Sequence, residues 1–389
     1  MKADMISKFL IHLTKVVPLF LIVLLPYGSI SKSLQYDSTK DSLRYTGEKH
    51  LRNIRQLTFG GNNAEAYWSF DDKQLVFQSD WDKINPQGCD QIFTLNVDGS
   101  DFENGEKYKL VSTGKGRTTC SYFLKNGNVI YASTHEADAK CPESVMFSGG
   151  RYVWPIYNSY DIYMTNADGS KHKLLIGGKG YDAEATVSQD GKYIIFTSTR
   201  SGDLELWRYE IATGEYLQLT NTLGYDGGAF FSNDSKHIVW RASRPEGGDA
   251  ESYKKLLAEG LVEPKELNIF IADIDGKNVK QVTDLPGANW APFFHPSGNK
   301  LLFCSNHHSL DKGGRVFDIF MINVDGTNLE QITNSGTFDA FPMFSFDGSK
   351  LVFCSNRNTE RKQSRDTNIF IADWIEEPEE VDVNFKSLR

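Results

Sequence analysis

This chain has little that usually announces an enzyme. In 389 residues there is no G-x-S-x-G for a nucleophile elbow, no H-E-x-x-H for a zincin helix and no glycine loop built to cradle phosphate. His135-Glu136 lacks the second histidine of a zinc-binding helix, and His307-His308 with Asp311 is the one tight cluster of ligand-type side chains. Positive charge is also in deficit. The 42 Lys and Arg against 51 Asp and Glu leave a formal charge of -9, which argues against a nucleic-acid backbone as partner. Cysteine is scarce, with five residues and no C-x-x-C pair, so a monomer keeps at least one free thiol. Cys304 and Cys354 fall at matching places in successive repeats, too far apart to bond, and read as small strand residues. Cys89 and Cys141 sit in loops, where a pairing between them is open.

What the chain has is repetition. Six copies of one unit run from a Q-L-T-like strand through an apolar strand, a tight turn, a second apolar strand and a strand built on an acid or amide, an aliphatic and an aromatic. The last of these reads Gln91-Ile92-Phe93, Asp161-Ile162-Tyr163, Glu205-Leu206-Trp207, Asn268-Ile269-Phe270, Asp318-Ile319-Phe320 and Asn368-Ile369-Phe370. Asp190-Gly191, Ser297-Gly298 and Asp347-Gly348 mark first hairpins, and Asp168-Gly169, Asp275-Gly276 and Asp325-Gly326 mark the other hairpins. The pattern predicts an all-β chain: a six-bladed β-propeller of four-stranded antiparallel blades. The inner strand of the first blade is expected over Ala66 to Phe70. The sixth copy stops after Trp374 without a fourth strand, whereas Asn53 to Thr58 has no blade of its own. This N-terminal strand is expected to complete the last blade and close the ring, removing exposed sheet edges.

The termini read differently. Lys2, Lys8 and Lys15 precede an apolar run from Val16 to Leu25, bounded by Pro26 and followed by small residues, the layout of a secretory signal peptide over 1–31. The run is about half the ~20 apolar residues of a membrane span, so no span is expected after cleavage. Residues 32–49 read as a flexible leader, 50–375 as the propeller and 376–389 as an acidic tail.

Candidate binding residues come from aligning the copies by their turns. The segment entering each inner strand gives Asn63, Arg117, Asp182, Asp226, Asn289 and Asp339, with Glu65 and Glu184 two positions on and Thr119 in the second copy. Facing the central funnel, such a ring suits a cation, a sugar or a basic peptide end. The competing reading is that Asp and Asn bond their own turn backbones. Long connections fall between the second and third strands of the blades, and that face is where binding is expected. One of them carries Arg151-Tyr152-Val153-Trp154-Pro155-Ile156-Tyr157, either an aromatic wall at the channel mouth or a self-packed flap. Another, Asp249 to Glu259 before Gly260, reads as a short helix with a glycine cap.

Gln331-Ile332-Thr333 followed by Ala340 to Gly348, with its Ala-x-Pro-x-Phe-Ser-x-Asp-Gly character, resembles the TolB-like family of propeller repeats. The likeness runs from about Asn53 to Trp374. It implies a six-bladed propeller in the periplasm that serves as a binding platform for an envelope or secreted protein, or for a peptide or saccharide ligand. A monomer without catalytic residues, cofactor or metal is expected. TolB carries a separate α/β domain before its propeller, which this sequence does not show, and a direct place in the Tol complex is therefore in doubt. Propeller lyases or hydrolases acting on acidic oligosaccharides, some metal-dependent, are the alternative; they use funnel histidines, and the column above has none.

Overall fold

The computed structural model describes residues 41–358 and 366–377. The signal-peptide reading, the leader up to residue 40 and the tail beyond 377 lie outside the described residues. Six four-stranded antiparallel sheets form the blades. The first five are Asn63–Trp68 to Lys109–Leu110, Thr118–Phe123 to Lys173–Ile176, Asp182–Val187 to Tyr216–Gln218, Asp226–Phe231 to Lys280–Gln281 and Asn289–Phe294 to Glu330–Gln331. The sixth contributes Asp339–Phe344, Lys350–Ser355 and Asn368–Trp374 and borrows Leu51–Gln56 from the start of the chain. The closing strand is thus the expected one, begun two residues earlier.

The second strand of each blade is covered on both faces by neighbouring blades, which explains its unbroken apolar runs. Leu75-Val76-Phe77, Ile194-Ile195-Phe196, Leu301-Leu302-Phe303 and Leu351-Val352-Phe353 are fully buried. Inner strands obey a further constraint. Each loses register with its neighbour at the same place, between Ala64 and Tyr67 in blade 1 and between Ala340 and Met343 in blade 6. The bulged residue takes a left-handed backbone in every blade: Glu65, Cys120, Glu184, Gly228, Ala291 and Phe341 have φ between 44° and 59°. The first inner strand starts at Asn63, ahead of the expected Ala66, because Asn63 and Ala64 pair with Ser79 and Gln78 before the bulge.

The leader does not end where the sequence reading put it. Residues 41–50 dock on the ring. Glu48 is fully buried, its carboxylate 2.8 Å from Arg357 Nη2, which also lies 3.2 Å from Asp339. His50 stacks on Trp374 at 4.7 Å. Leu51, Ile54 and Leu57 then bury their side chains in the seam. Arg357→Ala would strand two buried carboxylates, and losing one partner of such a set costs about 3–5 kcal/mol. A large fall in the urea midpoint is expected for Arg357→Ala; a midpoint within error of the parent would show that the seam does not rely on this clasp.

The long connections share the end of the blades where the inner strands begin, because Ser79 pairs with Asn63 and Ser355 with Asp339. The helix Gly247–Ala258 lies in the fourth-blade connection, with Tyr253 and Leu256 buried and Gly260 left-handed behind it. In the second-blade connection, Phe147–Ser148 pairs with Arg151–Tyr152, and Trp154–Pro155 crosses to pair with Leu261–Val262 of the fourth-blade connection. This strap is tied covalently to blade 1 by the Cys89–Cys141 disulfide.

Candidate functional site

The predicted column turns out to be internal to the blades. Asn63, Asp182, Asp226, Asn289 and Asp339 are buried and bonded to partners beside them. Asp182 accepts from Arg200 Nη2 at 2.8 Å. Asp226 accepts from Arg244 at 2.7 and 3.0 Å and from Trp240 Nε1 at 2.6 Å. Asp339 meets Arg357. The amides do the same work without an arginine: Asn63 accepts from Ser79 Oγ at 2.8 Å and donates to Gly60 O, and Asn289 accepts from Ser305 Oγ at 2.6 Å and donates to Leu267 O. In blade 2 the register places Thr118, paired with Ser133, in the column. Arg117 precedes it and binds Asp90 at 2.9 Å. The expectation of a converging ring is therefore corrected for these positions: each bonds to neighbouring protein groups, with Asp339 Oδ1 and Arg117 Nε left buried without a hydrogen-bond partner among the described residues.

Glu65 and Glu184, two residues deeper, do face the axis. They stand in the ring of bulged residues, and that ring is asymmetric. Blades 5 and 6 present Ala291 and Phe341, whereas blades 1 to 3 present Glu65, Cys120 and Glu184. Blade 4 presents Gly228, and through the gap left by its missing side chain Arg241 enters from the second strand. A Cβ on Gly228 would lie 2.0 Å from Arg241 Nη1, and one on Gly227 would lie 2.3 Å from Glu184. Glu184 is saturated, accepting from Thr197 Oγ1 (2.7 Å), Tyr225 OH (2.7 Å), Gly228 N–H (2.8 Å) and Arg241 Nη2 (2.8 Å). Two neighbours are not. Glu65 Oε2 and Arg241 Nε are buried without a hydrogen-bond partner. Burial pushes the Glu65 carboxyl up to about 7, opposed by a Cys120 hydrogen bond and the Arg241 charge.

These groups line a chamber of about 20 Å³. Tyr67 and Phe230, 5.4 Å apart, close one side, and Phe293 packs behind Phe230 at 5.3 Å. On the long-loop side Trp154 lies over Arg241, 5.3 Å from its guanidinium, and packs on Tyr225 and Trp290. Of the two predicted aromatic residues, Trp154 thus packs over Arg241, and Tyr152 is exposed beside it, accepting from Trp154 Nε1 at 3.1 Å. His307 and His308 turn to different partners, Ser305 Oγ at 2.8 Å and Asp318 at 2.9 Å. Among the described residues no group of three metal-type ligands forms, and no helix is long and apolar enough to cross a membrane. A second cavity, about 560 Å³, lies between the helix and blade 3, lined by Asp203, Leu223, Tyr253 and Leu257.

Sequence reasoning missed Arg241. Its equivalents are Gln78, Ala132, Thr197, Cys304 and Cys354, so a lone charge in an uncharged series, opposite Gly227-Gly228, was the available signal.

Residues 254–363 match the family model for the TolB beta propeller domain. The repeats within that stretch resemble those of the TolB propeller. A relative from Agrobacterium fabrum, an uncharacterized protein, is 26% identical over 149 residues, which cover 37% of this chain and 46% of the relative; the match spans less than half its length. The solved structure of a putative TolB from Agrobacterium tumefaciens has a TM-score of 0.50 at 17% identity, over 81% of this chain and 91% of that one. A gluconolactonase from Xanthomonas campestris gives 0.51 at 15% identity, over 84% and 91%. At these identities the likeness shows the fold alone, and this chain shares it with both a putative TolB and a gluconolactonase.

The buried acids give this propeller a pH signature. Burial pushes Glu205 up to about 8, Glu65 and Asp318 to about 7, and Asp90 and Asp226 to about 6. The folded chain therefore holds protons that the unfolded chain releases above pH ~4–4.5, and stability falls as pH rises through these raised values. His135, His295, His307 and His308 are pushed down by burial. They act oppositely, removing stability as pH falls below about 6.5. The melting temperature is expected to drop between pH 6.5 and 8.5, and Glu205→Gln should flatten that slope. A melting temperature that rises over this interval contradicts the assignment.

Proposed function

We propose that this chain is an exported TolB-like propeller that acts by binding, with the strap on its long-loop face as the docking surface for an envelope or secreted protein. The observation that carries this reading is the strap itself. The second-blade connection is fixed by a disulfide at one end and by strand pairing at the other, yet it leaves Met146, Phe147 and Tyr152 largely exposed on a short hairpin. Rigid apolar side chains held clear of the core lose little entropy on docking. Export is supported by the basic-then-apolar N-terminal sequence and by a disulfide, which persists in oxidising compartments such as the periplasm. The absence of G-x-S-x-G, H-E-x-x-H and a phosphate loop supports a non-catalytic role.

Crosslinking and capture from host envelope extract tests the reading. The parent protein should recover a specific partner, and Phe147→Ser with Tyr152→Ser should lose it at least tenfold with an unchanged melting temperature. Equal recovery by both proteins, or none by either, overturns it. Processing is checked separately by mass spectrometry of the exported protein, where loss of about the first 31 residues is expected.

One observation favours a catalytic reading: a carboxyl poised near neutrality beside an arginine is the form a general base takes. Turnover of acidic oligosaccharides or lactones that is abolished by Glu65→Gln would establish it in place of the binding role.

A further inference from the structure

The chamber under Trp154 is built and left unsatisfied. Arg241 is 9% exposed, and the ring closes around it only because Gly228 carries no side chain. One arm of the guanidinium is used by Glu184 and Tyr225. Its Nε and the Glu65 Oε2 remain buried without partners in the same chamber. Burying such groups unpaired costs roughly 1–3 kcal/mol each. What sets these two apart from other unpartnered atoms of the fold is that their residues line one chamber, beside which Gly228 leaves room for Arg241.

Three properties define what enters. The Arg241–Glu184 pair is already neutral and burial holds the Glu65 carboxyl toward its protonated form, so a charged guest would find no fixed countercharge in a dry space. The free atoms are an N–H donor and a carboxyl oxygen, so the guest must accept from Arg241 and exchange a hydrogen bond with Glu65. The volume, about 20 Å³, admits about one water-sized group. A hydroxyl meets all three conditions, while an ammonium, a carboxylate or a metal ion does not. Beyond the chamber the rim turns aromatic, with Trp154 and Trp290 5.9 Å apart and Trp290 edge-on to Phe341 at 5.0 Å, surfaces suited to the apolar C–H face of a sugar ring.

We propose that the mouth of the channel is a binding site for a neutral sugar or other polyol, one hydroxyl of which enters the chamber between Arg241 and Glu65 while its carbon skeleton packs on Trp154 and Trp290. Trp154 lies two residues beyond the exposed hairpin proposed to meet a protein partner and bonds to Tyr152, so Glu65→Leu, which leaves the strap untouched, distinguishes failure of this site from failure of that one.

The test is calorimetric titration of the intact protein with glycerol, glucose and galactose, with sodium acetate and sodium chloride as charged controls. At least one polyol should bind saturably and perturb tryptophan fluorescence. Glu65→Leu, which leaves the Arg241–Glu184 pair intact, should weaken binding about tenfold or more, the loss of one buried hydrogen bond; Glu65→Gln should restore most of it. No saturable binding of any of the three polyols means that the chamber holds water only and overturns the proposal. Binding of acetate or chloride in their place assigns an anion site instead. Polyol binding that Glu65→Leu leaves unchanged puts the sugar elsewhere and overturns it equally.

Discussion

In five of the six blades a carboxylate or amide at the start of the inner strand, bonded across to the end of the second strand, is the interaction on which the rest of the ring depends; blade 2 has Thr118 there, which donates to Asp90 O. In three blades it is an Asp–Arg clip, Asp182 with Arg200, Asp226 with Arg244 and Asp339 with Arg357. In blades 1 and 5 an asparagine and a serine replace it. The clip pins the hairpin at the end where the long connections leave, and so gives those connections a fixed base. In blade 6 it goes further, because Arg357 also takes Glu48 and thereby locks the N-terminal segment over the seam that closes the ring.

With the ends pinned, the bulge two residues deeper can point side chains at the axis. A left-handed backbone at a non-glycine residue is costly, and five of the six bulged positions bear it. The functional consequence lies in the exception. Gly228 leaves room for Arg241, which adds a guanidinium to a chamber whose ring sets Glu65 and Glu184 against Ala291 and Phe341. Trp154, carried in from blade 2 by the disulfide-tied strap, packs over Arg241. Structure and site are thus separated by only two positions along the same strand.

That separation explains what could be read from the sequence. The blades, their order and the closing strand were legible because strand period and turn chemistry repeat six times, and repetition averages out local ambiguity. The column was not, since an Asp at a strand entrance looks the same whether it faces the axis or its own hairpin. A finer signal was present: each of Asp182, Asp226 and Asp339 has an arginine 18 residues later. The docking of Glu48 was invisible because a polar leader shows no periodicity when its contacts are single ion pairs. The Cys89–Cys141 bond likewise depends on where two loops of different blades come to lie, which spacing alone does not give.

The central claim is that the column holds the fold and the deeper ring serves the site. Comparing the denaturation midpoints of Asp226→Ala and Glu65→Gln at pH 8 tests it most directly. Asp226→Ala should fall well below the parent, because Arg244 and the Trp240 indole lose their partner. Glu65→Gln should match or exceed the parent, because it removes a buried carboxyl that is costly to ionise at that pH. A stable Asp226→Ala with a destabilised Glu65→Gln would reverse the two roles and contradict the account.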